Sequence, residues 1–248
     1  MEEGKKQSSQ ELLDSNKKSN NKSVFDETKL KNLKLKSRVF YGPIFDPPFK
    51  DGKVTEKGIK KYETLAKNNI SLIIPCEMMV GDYPSSGPKM FRIDSDECIE
   101  DYKKLTDIVH KNNSYIIVQL NHPGLLLGSD NMYSPSGDKG FFNNVASKEV
   151  TKEDILRIQN DFVQAAIRGR KAGFDGIDIH GAQLNFTSLF LSTKFNRRTD
   201  EYGGSVEKRA RFVVEIIKRI REAIGNDMLL SIKIDSEEEA QDLQRVIF

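Results

Sequence analysis

The sequence predicts an α/β fold: a (β/α)8 barrel of TIM type, incomplete, made of about the first five βα units. Three observations carry this. Short apolar, β-branched runs bounded by Gly and Pro alternate with amphipathic helical stretches, as buried parallel strands and their covering helices do. Repeated βα units imply a mostly parallel sheet with right-handed crossovers, either doubly wound or closed into a barrel. No GxGxxG follows a first strand, and no GxxxxGK followed by Ser or Thr occurs, so the usual nucleotide fingerprints of open sheets are missing. The barrel is favoured.

Taken in order, residues 1–29 are rich in Lys, Ser, Asn and Gln and have no apolar period. Such a segment cannot bury enough surface to offset its ordering entropy, and it is expected to be a disordered polar tail. One domain, 30–248, should follow. Its strands are the runs Arg38 to Pro43, Ser71 to Pro75, Tyr115 to Leu120, Phe174 to His180 and Met228 to Ile234. Asp94, Thr151 and Ser205 stand where helix N-caps belong. Ile155, Ile158, Phe162, Ala165 and Ala166 keep helical spacing, as do Phe212, Val213, Ile216, Ile217 and Ile220. Gly173 and Gly225 sit at the expected C-caps, each just before a strand. A barrel needs eight strands, and the final SEEEAQDLQRVIF falls in the helix expected after the fifth.

Composition excludes several classes. The formal charge is +2, from 39 basic and 37 acidic residues interspersed after the tail, so no basic stripe suits nucleic acid. No apolar run reaches the ~18 residues of a membrane helix, nor is there a secretory core of ~7–15, which leads to the expectation of a cytoplasmic protein with no membrane partner. Cys76 and Cys98 share no metal or redox spacing, and His110, His122 and His180 lie in separate segments, so no metal site is expected.

The chemistry-bearing stretch is FDGIDIH. Period two puts Gly176, Asp178 and His180 on one face and Ile177 with Ile179 on the other. In a barrel the isoleucines pack under the helices, and His180 stands at the C-terminal rim, where such barrels keep their sites. From spacing alone, a working group and a hydrogen-bonded strand-end histidine both fit.

Four stretches, GFDGIDIHGAQ, FLSTKFNRRTDEYGGSVEKRARF, IIVQLNHPG and LKLKSRVFYGP, resemble in register the Old Yellow Enzyme family of NADH:flavin oxidoreductases and NADH oxidases, from about Leu30 to Ile234. The resemblance implies bound FMN reduced by NADH or NADPH, and hydride passed to an alkene conjugated with a carbonyl or nitro group, that is, an enone-like small molecule. His180 and Gln183 match the two donors that polarise the carbonyl oxygen. Gln119 matches the residue at the flavin pyrimidine edge, its plainer reading being a barrel-lining amide. Gly42 and Pro43 match the backbone beside the ring, and Lys233 replaces an arginine near N1.

Two positions depart from the pattern. Asn185 replaces a proton-donating tyrosine, so general-acid help typically worth ~10²–10⁴-fold would have to come from water or another group. Phe45 stands where Thr or Cys usually touches the ring. The family uses the NRRTDEYGGS loop mainly as a brace, although its Arg pair before a helix N-terminus also suits a phosphate. Asp178 and Lys233, on neighbouring strands, are expected to pair, since a buried lone charge is costly.

The phosphate cradle of such barrels follows strands seven and eight, beyond this sequence. Two readings follow: an FMN-binding family reductase, either truncated in this sequence or completed by a complementing chain or homo-oligomer, and a degenerate member or fragment that does not hold flavin alone. A third reading, His180 as general base oriented by Asp178, requires those two side chains to touch.

Overall fold

The computed structural model describes residues 23–44, 53–83, 91–126, 131–141 and 143–235, with the backbone of Phe49–Lys50. Of the expected tail, residues 1–22 lie outside the described residues, as do Phe45 and 236–248. Thr28–Leu30 (β1) pairs antiparallel with Leu33–Leu35 (β2), a hairpin that the tail boundary at 29 cut through. The alternation in TKLKNLKL supplies its inward leucines.

Phe40–Tyr41 (β3) opens the main sheet, and a second small hairpin joins Phe49–Lys50 (β4) to Lys53–Val54 (β5). Glu56–Lys67 (α1) is capped by Thr55, whose side chain accepts from Gly58 N, and it buries Tyr62 and Ala66. Leu72–Ile73 (β6) and Met78–Met79 (β7) both align on Tyr115–Asn121 (β8), so they are two pieces of one barrel position. Ile99–His110 (α2) lies between, and here one expectation fails. Asp94 does not cap; it bonds Arg92 instead, and a 3-10 turn at Asp96–Cys98 leads into the helix. A nearby guanidinium outcompetes the free backbone N–H groups.

After β8 come Tyr133–Ser134 (β9) and Lys148–Glu149 (β10), paired with each other, and then Lys152–Lys171 (α3). Thr151 and Asp154 form a reciprocal capping box at its start, as their spacing predicts. Gly176–Gly181 (β11) follows, then a short helix Phe186–Leu191 (α4), Val206–Ile224 (α5) under its Ser205 cap, and Leu229–Ile234 (β12). Gly225 takes φ +72° at the end of α5, a conformation natural to glycine.

The sheet order settles barrel against doubly wound sheet. Parallel neighbours run β3, β6 with β7, β8, β11, β12, strictly in chain order. A doubly wound sheet reverses direction partway; this one winds one way, as an incomplete (β/α)8 barrel does.

Residue parity then divides the sheet. Ile116, Val118, Leu120, Ile177 and Ile179 face outward into one core with Leu105, Val109, Ile158, Phe162, Phe212 and Ile216 of the helices. The inward face is layered. At the bottom, Leu33 and Leu35 of the hairpin plug the opening against Leu72 and Ile117, with Leu229 alongside. Gly176 lies in this layer because there is no room for a side chain: a Cβ would stand 2.7 Å from Leu229 Cβ and 2.9 Å from Ile117 Cγ2. Above it the interior turns polar. No helix among the described residues is long and apolar enough to cross a membrane.

Candidate functional site

Two polar rungs cross the upper interior. In the lower one, β-sheet register aligns Gln119, Asp178 and Ser231. Gln119 Nε2 donates to Asp178 Oδ2 at 2.7 Å, and Ser231 Oγ donates to Asp178 Oδ1 at 2.6 Å. Both carboxylate oxygens are therefore engaged by neutral donors, and the expected Asp178–Lys233 ion pair does not form. Register explains this. Lys233 is aligned with His180, one rung above Asp178, and its Nζ donates to Gln183 Oε1 at 3.0 Å.

In the upper rung His180 is 3% exposed. Its ring meets Asn185 rather than Asp178: Asn185 Nδ2 lies 3.1 Å from His180 Nε2. Asn185 is held in turn by Asn121, whose Nδ2 donates to Asn185 Oδ1 at 2.9 Å. His180 Nδ1 is buried and has no hydrogen-bond partner, and the same is true of Gln119 Oε1. Burial, then the charge of Lys233, drive the imidazole pKa down to about 3; the neighbouring Gln183 amide opposes this weakly, without a hydrogen bond of normal geometry to either ring nitrogen. His180 is thus neutral near pH 7. The base-and-orienter reading fails because Asp178 and His180 have different partners.

Gln183 and the next residue, Leu184, both take φ +59°, a left-handed backbone that costs a non-glycine residue roughly 1–2 kcal/mol. Asp235 helps to hold this turn by accepting from Gln183 N at 3.0 Å, and Phe186 N donates to His122 O at 2.9 Å just beyond. With Oε1 turned to Lys233, the amide NH2 of Gln183 is left to donate. Gly42 and Pro43 follow β3 at the same C-terminal rim, on the opposite edge of the sheet, and make no hydrogen bond to the His180 group.

His122, just past β8, is a packing residue. Its ring lies 4.0 Å from that of Tyr83 and 4.3 Å from that of Phe186, and Nδ1 accepts from Gly124 N at 3.1 Å. Burial lowers its pKa to about 3.

The NRRTDEYGGS loop is a brace. Arg198 pairs with Asp200 at 2.7 Å and donates to the carbonyls of Pro135 and Val150. Arg197 pairs with Asp138, Asn196 donates to the carbonyls of Phe190 and Tyr202, and Tyr202 Oη donates to Glu215. Arg198 is fully engaged by protein, whereas Arg197 keeps about half of its side chain exposed.

Sequence reasoning missed Ser231 and the Asn121–Asn185–His180 chain. Counting back two from Lys233 would have put Ser231 inward, but nothing in one dimension brings Asn121 to Asn185.

The ring end of FMN can be tested against these residues. A buried acceptor without a donor (Gln119 Oε1) lies one rung below a buried imidazole nitrogen without a partner (His180 Nδ1) and a cation (Lys233), all on neighbouring strands of the sheet. An isoalloxazine offers an N–H for the first and accumulates charge for the last, so the residues present fit it.

A one-way parallel sheet with polar groups gathered toward its C-terminal rim defines a (β/α) barrel chain. The chain belongs to the NADH:flavin oxidoreductase / NADH oxidase family, whose model matches residues 23–246. It is 34% identical over 224 residues to an NADH oxidase of Thermoanaerobacter brockii, covering 87% of this chain and 34% of that protein. It is 34% identical over 202 residues to an NADPH dehydrogenase of Bacillus subtilis (strain 168), covering 80% of this chain and 60% of that one. Among solved structures, Old Yellow Enzyme from Pichia sp. AKU4542 superposes with a TM-score of 0.79 at 27% identity, covering 86% of this chain and 60% of that chain. The chain therefore spans one third to three fifths of the length of these relatives.

Proposed function

We propose that this chain carries the catalytic rim of an FMN-dependent NAD(P)H oxidoreductase that reduces carbonyl-conjugated alkenes. The observation that carries the reading is the pair of buried, unpartnered atoms on adjacent strands, Gln119 Oε1 and His180 Nδ1, with Lys233 aligned beside His180. Leaving a buried polar group unpaired costs ~1–3 kcal/mol, which a ligand supplying the partners returns. Bound FMN would supply hydride chemistry, with NADH or NADPH as reductant.

The chain's own residues have separate tasks. Gln119 accepts from the pyrimidine edge, with its position fixed by Asp178. Lys233 places positive charge beside the ring, and Gly42 and Pro43 offer backbone at the far side. Neutral His180 donates to the substrate carbonyl oxygen, assisted by the Gln183 amide, and so withdraws charge as the alkene is reduced. Asn185 has no acidic proton to give, so the proton for the α-carbon would come from water or another group.

A second reading has its own observation. Asn185 bridges His180 and Asn121 at the position where the resemblance expects a proton donor, which suits a member that does not carry out the reduction and holds no flavin. Partnership with a complementing chain or a second copy also fits, because β12 has no outer neighbour among the described residues and Ile234 is 60% exposed.

The test is titration of purified full-length chain with FMN, followed by flavin fluorescence and by mass in solution. Saturable quenching near one FMN per chain supports the first reading; absence of quenching at any oligomeric state supports the second. In FMN-loaded protein His180→Ala should weaken a phenolic ligand about tenfold or more while FMN stays bound, and unchanged affinity would remove the role given to His180.

A further inference from the structure

Asn185 Nδ2 lies 3.0 Å from the carbonyl oxygen of Ala182 as well as 3.1 Å from His180 Nε2. A carbonyl oxygen only accepts, so the Asn185 atom facing it is the NH2. The other half of the amide is then the oxygen, which accepts from Asn121 Nδ2 at 2.9 Å. One N–H of Asn185 goes to Ala182 and the second points at His180 Nε2. That nitrogen must therefore present its lone pair. A neutral imidazole with a lone pair on Nε2 carries its proton on Nδ1, the atom with no partner in the fold.

We infer that Asn185 is a positioning residue that locks His180 into its Nδ1–H tautomer and leaves Nδ1–H as the single donor this imidazole offers to a bound molecule. The ligand atom that meets it is then an acceptor, a carbonyl or phenolate oxygen. Molecules presenting only N–H donors are rejected there, the more so beside the Lys233 ammonium. Asn121 is the outer support of the same lock. The use of the donor rests on the flavin reading, whereas the tautomer is a property of the chain itself.

His122 provides an internal contrast. Gly124 N donates to its Nδ1, so its proton belongs on Nε2, the opposite tautomer in the same molecule.

The experiment is long-range ¹⁵N–¹H correlation of the imidazole nitrogens in full-length protein labelled at its three histidines, with His180→Gln used for assignment. Wild-type His180 should show a pyrrole-type Nδ1 and a pyridine-type Nε2, and His122 the reverse. In Asn185→Asp a carboxylate replaces the donor beside Nε2, so Nε2 should become protonated; in Asn185→Leu the two nitrogens should average toward each other. Retention of the His122 pattern reports that a variant is folded. A proton on Nε2 of wild-type His180 overturns the inference without any variant, as does an unchanged His180 pattern in folded Asn185→Asp. Failure to bind FMN would sink the proposed function and leave the tautomer standing; Nε2–H would sink the tautomer and leave FMN titration untouched.

Discussion

Acid should unfold this protein through two imidazoles well before its carboxylates protonate. His122 and His180 are 2% and 3% exposed, and each has its pKa driven down to about 3 from an ordinary 6.5, by burial first in both cases. Below pH 6.5 the unfolded chain takes up protons at these positions that the folded chain refuses, and stability rises with pH wherever the unfolded state binds more protons. Their contribution is thus intact above about pH 6.5 and drains away as pH falls toward 3. Each pH unit is worth ~1.4 kcal/mol per group, so by pH ~5 each imidazole has cost about 2 kcal/mol and the pair about 4. That is a large part of a typical stability of ~5–15 kcal/mol. His110 works in the opposite direction, since its hydrogen bond with Asp175 raises its pKa and favours the fold as pH falls; His110→Gln removes it from the comparison. Urea melts between pH ~7.5 and ~5 should show the midpoint falling by about 1.3–4 M, given slopes of ~1–3 kcal/mol/M. His122→Phe, which keeps a ring between Tyr83 and Phe186, and His180→Gln should each remove about half of that fall. A midpoint flat across the range in the His110→Gln background would refute the reasoning.

Three further outcomes are expected. Gly124→Ala should destabilise by more than ~1 kcal/mol, because φ is +56° there and a Cβ would meet Phe186 N at 2.7 Å; at ~2–4 °C per kcal/mol a melt should fall by at least that much, and an unchanged melting temperature would contradict it. Arg198→Lys should cost about 3 kcal/mol by chemical denaturation, since the guanidinium is 7% exposed and bridges Asp200 and two carbonyls that an ammonium cannot span together; a loss under ~0.5 kcal/mol would make the loop an ornament rather than a brace. Lys233→Met should raise the pKa of His180 without bringing it to 6.5, because burial outranks the lysine among the causes; an NMR titration with no upward movement would place the charge elsewhere.

Much of the fold was readable in one dimension, and the reason is local. Strands β8, β11 and β12 are short runs with aliphatic residues at alternate positions, and Thr151 to Asp154 carries its capping box in its spacing. The helix Glu56–Lys67 was equally readable from Thr55, Ile59, Tyr62 and Ala66 but was passed over. The helix Phe186–Leu191 was not, being under two turns and rich in hydroxyls; tertiary stacking of Phe190 on Phe212, with centroids 4.3 Å apart, supports it. At the site, parity alone turned Asp178, His180 and Lys233 inward. Parity does not give height along the strand, so Lys233 was matched to Asp178 when register sets it beside His180. Asn121 at the end of β8 and Asn185 at the cap of α4, which touch across the rim, required the folded chain.

The inner wall grades from hydrocarbon at the hairpin end to amide, carboxylate, imidazole and ammonium at the mouth, while the outer wall of the same strands stays oily throughout. Tyr115–Asn121 is therefore two messages interleaved, one for cohesion and one for recognition, and a protein engineer can rewrite every second letter near its end without touching the others. The converse also holds. Deleting or inserting a single residue within this stretch would swap the two messages wholesale, turning grease into the mouth and amides under the helices, which is far more damaging than any one replacement in it.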